Sequence, residues 1–132
     1  MRTKHSLTSV DVHKIMTACK AEAQKNSWNV SIAIVDDAGQ LLQFERLDGA
    51  RPITAEVALG KAKASAAFHA PTKVFDNMLK DRPALLKLPV GLPLEGGVPL
   101  MYQGECVGAV AVSGVQSHED AQVASAGAAT LA

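Results

Sequence analysis

The stretch Gly96–Gly114, GGVPLMYQGECVGAVAVSG, most constrains what this chain can become. Val98 to Tyr102 and Cys106 to Ser113 are rich in β-branched and small residues, and Gln103-Gly104-Glu105 between them supplies a turn with a residue free to take positive φ. The pattern predicts a hairpin. From Val107 to Val112 its second strand carries no polar side chain, so both faces must be covered; the strand belongs in the interior of a sheet with helices or another subunit on each side.

The rest of the chain supplies those covers. A helix is expected from Thr8 or Ser9 to about Lys25, with Val12, Ile15, Met16, Cys19 and Ala23 as its apolar stripe. Val30–Val35 and Gln40–Leu47 read as strands joined by Asp36-Asp37-Ala38-Gly39, whose paired aspartates are turn chemistry because neighbouring side chains point apart. Thr54 is expected to cap a helix running to about Ala70, and a shorter helix covers Thr72–Lys80. The proline-rich Asp81–Gly97 segment allows a helical turn at Ala84-Leu85-Leu86 and a short strand near Leu92–Glu95. Ser117 and Asp120, at capping-box spacing, open a last alanine-rich helix. The Ala55–Ala70 helix is apolar nearly all round, which points to self-association, with cover by the following proline-rich segment as the alternative.

Composition removes several function classes. With 132 residues and 48% hydrophobic content, the chain fits one domain that buries roughly two-thirds of its unfolded surface. Lys plus Arg equal Asp plus Glu at 13 each, so there is no basic field for nucleic acid. No segment has the ~20 apolar residues of a membrane span, and the N-terminus lacks the apolar run of a signal peptide, so a cytoplasmic protein is expected. Cys19 and Cys106 have neither disulfide nor zinc spacing and read as buried reduced thiols; no metal site is expected.

Several segments together resemble the GlcG/HbpS-like family: Ala33-Ile34-Val35-Asp36-Asp37-Ala38-Gly39-Gln40-Leu41, Arg46-Leu47-Asp48-Gly49-Ala50, Lys61-Ala62, Gly96-Gly97-Val98-Pro99 and Val107–Gly114. The resemblance covers nearly the whole chain in order. It implies an α/β sandwich like profilin and PAS domains, an antiparallel sheet of about five strands with helices on both faces, assembled as a homo-oligomer. It also implies a haem-binding or small-molecule-binding accessory role beside glycolate, diol or glycerol metabolism.

Two sets of residues are candidates for binding. Arg46, Asp48, Gly49, Lys61, Gly96, Gly97, Ser113 and Gly114 combine two cations with glycine backbones near strand ends, suited to a small anionic ligand such as a carboxylate or a haem propionate. The plainer reading is a local Arg46–Asp48 ion pair, a solvated Lys61 and glycines that serve turns. His13 and His69 are the candidate haem ligands, because an axial ligand needs a neutral imidazole facing an apolar slot; each also reads as an ordinary surface or helix-end histidine.

No elbow serine, phosphate loop or metal-helix motif is present. The expected function is therefore a tetrapyrrole- or small-molecule-binding accessory protein. The alternatives are an enzyme that holds a small hydroxyacid on Arg46 and Lys61, with Asp48 or a histidine as acid/base, and an interaction module for a dehydratase or its reactivation machinery.

Overall fold

The computed structural model describes residues 1–131. Its regular elements are α1 (Ser9–Lys25), β1 (Ser31–Asp36), β2 (Leu41–Arg46), α2 (Ile53–Phe68), α3 (Thr72–Met78), β3 (Gly97–Tyr102), β4 (Glu105–Ser113) and α4 (Ser117–Ala128), with short 3-10 turns at Pro83–Lys87 and Ala129–Leu131. The sheet has four strands in the order β2-β1-β4-β3, antiparallel throughout, where about five were expected. The missing strand is the one anticipated near Leu92–Glu95. That segment stays irregular, and the Glu95 N–H goes to the Asp76 carboxylate at 3.0 Å instead of to a strand.

Strand alternation sorts the core into two layers. Ile32, Ile34, Val110 and Val112 meet Val12, Ile15, Met16 and Cys19 of α1 and Val123 and Ala124 of α4. Ala33, Val35, Ala109 and Ala111 face the other way, onto Ala58, Ala62 and Ala66 of α2. The interior strand β4 is buried from Val107 to Ser113, as its unbroken apolar run requires.

The turns follow local chemistry. Gln103 and Gly104, at φ 49° and 77°, make the two-residue turn of the β3–β4 hairpin. Asp36 Oδ1 accepts the N–H groups of Ala38 and Gln40, both at 2.9 Å, which fixes the β1–β2 turn. Mid-strand Gly108 exists because the backbone of β1 passes too close for a side chain: a Cβ there would run into the Val35 carbonyl oxygen. The neighbour pressing on it is this chain's own strand, beside a bulge between Leu100 and Met101.

Helix ends agree with expectation for α1 and depart from it for α2 and α4. Thr8 caps α1, with Asp11 completing the capping box. Thr54 caps nothing: α2 starts one residue earlier, and the buried Thr54 hydroxyl donates to Arg51 O at 2.6 Å while sharing a 2.8 Å bond with Ser31. At the start of α4 it is Glu119, rather than Asp120, whose carboxylate receives the capping N–H, from Gln116. The outer side of α2 at Gly60 and Ala64 is covered by the chain itself. The Leu92 N–H donates to Gly60 O at 2.9 Å, and the Leu92 side chain lies where a Cβ on Gly60 would stand, so a second subunit is not what covers that side. Ile53 and Phe68 at the two ends of the helix stay exposed.

Candidate functional site

The eight residues proposed for one anion pocket fall into two groups at the same end of the sheet. Lys61, Gly96 and Gly97 form an internal junction. Lys61 leaves α2 on one face and passes the start of β3, and its ammonium donates to Val112 O at 3.0 Å and to Asp120 Oδ2 of α4, on the other face, at 3.1 Å. Both side chains are about 4% exposed or less. The second Asp120 oxygen accepts the Val115 N–H at 3.1 Å, and burial pushes this carboxyl above its usual range, with Lys61 pulling it partly back.

The glycines make this junction possible. A Cβ on Gly96 would stand 2.6 Å from the Lys61 ammonium, and one on Gly97 would stand 2.8 Å from the Lys61 carbonyl oxygen. The Gly97 N–H is already bonded to Thr72 Oγ1 at 2.9 Å. Lys61 is therefore an internal tie between layers, neither the surface cation nor the rim cation that the sequence offered as alternatives.

Arg46, Asp48, Gly49, Ser113 and Gly114 gather around Asn29 and Ser31. In the strand register Arg46 lies opposite Ser31, and Ser31 opposite Ser113. Gly49 and Gly114 both back onto Asn29, with Cβ positions 2.7 Å from its Nδ2 and 2.6 Å from its carbonyl oxygen. Arg46 is on the outermost strand and Gly96 runs into the opposite edge strand, three strand spacings away, or roughly 14 Å. One small ligand does not bridge the two groups.

Where α1 ends beside β2, a cavity of about 400 Å³ is lined by Lys20, Gln24, Trp28, Asn29, Arg46 and Asp48, among others. Lys20 pairs with Glu45 at 3.0 Å. Among the described residues neither Arg46 nor Asp48 makes an ion pair, so the Arg46–Asp48 bridge of the plainer reading is not formed, and both residues are exposed. Sequence reasoning missed Trp28, Asn29 and Asp120. The sole tryptophan at the exit of α1 was the available signal for the first two; nothing local marks Asp120 as the partner of a lysine 59 residues away.

The candidate histidines are far apart in the fold. His13 is exposed on α1, beside a shallow surface of about 490 Å³ lined by Lys14, Thr17, Ala18, Ala21 and Thr130. His69 ends α2 in the left-handed conformation and lines a cavity of about 430 Å³ with Lys4, Asp37, Glu105 and Cys106. Cys106 is only half-buried, whereas Cys19 is fully buried and its thiol is pushed up to about 12. Among the described residues no three His, Cys, Asp or Glu side chains gather as a metal site, and no helix is long and apolar enough to cross a membrane.

Comparison with known proteins matches this architecture. The family model described as haem degrading protein HbpS-like covers residues 7–129. Protein GlcG of Escherichia coli K12 is 44% identical over 114 residues, 86% of this chain and 85% of that one. The crystal structure of a double mutant of Streptomyces reticuli HbpS superimposes with a TM-score of 0.91 at 35% identity, covering 100% of this chain and 91% of that one. The crystal structure of a PduOC–haem complex shares the fold at TM-score 0.86 and 22% identity, over 95% and 94% of the two chains. Two layers of helix on an antiparallel sheet, met by a family model over nearly the whole length, place this chain in the HbpS-like family.

Proposed function

We propose that this protein is a haem-binding accessory protein with His13 as axial ligand, working as a homo-oligomer beside small hydroxyacid or diol metabolism. The observation that carries the reading is the surface next to His13. Ala18 and Ala21 give it a floor of short side chains, so a flat macrocycle can approach the helix closely, while the Lys14 ammonium at the rim suits a propionate. The surface is open on one side, so a second copy closing over it completes the slot. His69 suits the group less well, because its cavity is lined by Arg2, Thr3, Lys4, Asp37 and Glu105, polar side chains that give an apolar ring no floor. Haem on His13 would supply a redox-active iron; the chain would supply the imidazole, the apolar floor and the cation. The family description, and the haem complex of a protein with the same fold, support this reading.

Haemin titration tests it. The parent protein should give a shifted Soret band that is lost in His13→Ala and kept in His69→Ala. Retention of the band in His13→Ala rejects the assignment.

The unpaired Arg46 and Asp48 favour a second reading, a small carboxylate ligand or substrate in the cavity beside Trp28. Gly49, Ser113 and Gly114 shape this end of the sheet, and Lys61 holds the carbonyl of Val112 just before Ser113, with Gly96 and Gly97 leaving room for it to pass. An enzyme on this site would use Asp48 as acid/base. Calorimetry with two- and three-carbon hydroxyacids should show binding that weakens several-fold in Arg46→Ala and less so in high salt. Equal affinity of parent and variant removes the reading.

A further inference from the structure

The first eight residues have no regular secondary structure, yet they are tied to both hairpin tips. Lys4 Nζ meets Asp37 of the β1–β2 turn at 2.6 Å. His5 grips Glu105 of the β3–β4 hairpin twice, through its backbone N–H at 3.2 Å and its Nδ1 at 2.9 Å, and its ring stands edge-on to Tyr102 at 4.9 Å. These hydrogen bonds from His5 hold the Glu105 carboxyl below its usual range.

The attachment is uneven along the segment. Leu7 packs against the core beside Gly108, and Thr8 is locked into the capping box with Asp11. Ahead of Leu7 the ties are exposed hydrogen bonds and ion pairs with one edge-on ring contact, and the Lys4 and His5 side chains are 55% and 54% accessible. Pairs of this kind are individually weak and screened by salt. A segment anchored firmly at one end and loosely at the other opens locally at a cost far below global unfolding.

Arg2, Thr3 and Lys4 line the 430 Å³ cavity together with Asp37, His69 and Cys106. We infer that residues 1–5 are a salt-sensitive lid that hinges at Ser6-Leu7 and controls access to the cavity holding His69 and Cys106. The lid stands apart from the His13 surface, so its test does not depend on haem.

The Cys106 thiol reports the lid, with buried Cys19 as an internal control for folding. In Lys4→Ala/His5→Ala, measured at one pH with iodoacetamide, Cys106 should alkylate on the order of 3–10 times faster than in the parent, each exposed pair contributing a modest factor. Simple electrostatics gives the opposite sign, because removing the Lys4 cation bares the Asp37 carboxylate, whose charge already raises the Cys106 thiol, and so disfavours the thiolate and slows it. An unchanged or slower rate, with Cys19 silent, overturns the lid. Should Cys19 also react, deuterium exchange of residues 104–107 in the unmutated chain decides: exchange that rises between about 0.05 and 0.5 M salt supports the lid, and salt-independent exchange overturns it.

Discussion

Toward α1 and α4 the sheet presents Ile32, Ile34, Leu100, Val110 and Val112, whereas toward α2 the same strands present Ala33, Val35, Ala109 and Ala111. The difference sets how each helix packs. Branched side chains hold α1 and α4 off the sheet and interlock with Ile15, Met16 and Val123; alanine against alanine lets α2 settle close, with Ala58, Ala62 and Ala66 as its contact line. The first face draws its stability from apolar volume and the second from closeness. Closeness leaves no space for an added atom. It also brings the α2 backbone near enough for Lys61 to pass the start of β3 and reach Asp120 on the far side.

The sharpest way to break the alanine face is Ala62→Glu. Position 62 is fully buried, and a carboxylate there has neither room nor partner, so a loss on the order of 4 kcal/mol or more is expected, enough to leave the chain largely unfolded. A circular dichroism melt like that of the parent would show that α2 is not packed as described.

Next in size is the tie between the faces. Lys61→Ala leaves Asp120 buried without its cation and should cost about 3–5 kcal/mol in urea unfolding, while Lys61→Met with Asp120→Leu recovers most of the loss. If the double variant is no more stable than the single one, the cost lies in the shape of the junction and not in the stranded charge.

The smallest effect probes the bulky face through Cys19. Burial lifts its thiol from 9.0 to about 12, and a raised acid contributes stability below the unfolded value that is lost as pH climbs toward the folded one. Between about pH 9 and 12 the unfolded chain binds one proton fewer than the folded chain, so stability should fall by roughly 1.4 kcal/mol per pH unit from this group. Urea midpoints at pH 8 and 10 for the parent and Cys19→Ala measure it. Identical pH slopes would mean that the thiol is not shielded.

Much of this was readable beforehand, and the reason differs by region. The α1 stripe, the Thr8 cap, the Asp36 turn and the β3–β4 hairpin depend on neighbours within a few residues, so spacing reveals them. The resemblance in sequence likewise carried the family and the two-layer fold. Elements that depend on distant partners stayed hidden. Asp120 looked like a helix cap because its spacing from Ser117 fits one, and Lys61 read as part of an anion pocket or as a solvated charge because nothing near it in the sequence marks an internal partner.

The alternation that gives β1 and β4 one bulky and one small face, the Thr8 cap and the two hairpin turns are written in the sequence. How those faces are used depends on contacts between distant segments. Gly91 and Leu92 cover α2 from outside and add no strand, Lys61 goes inward to Asp120, and the N-terminal segment lies across both hairpin tips. The physical reason is range. Local rules fix which groups a segment exposes, but a buried charge or a bare backbone group takes whichever partner the folded chain brings within about 3 Å, and no spacing along the chain records that meeting.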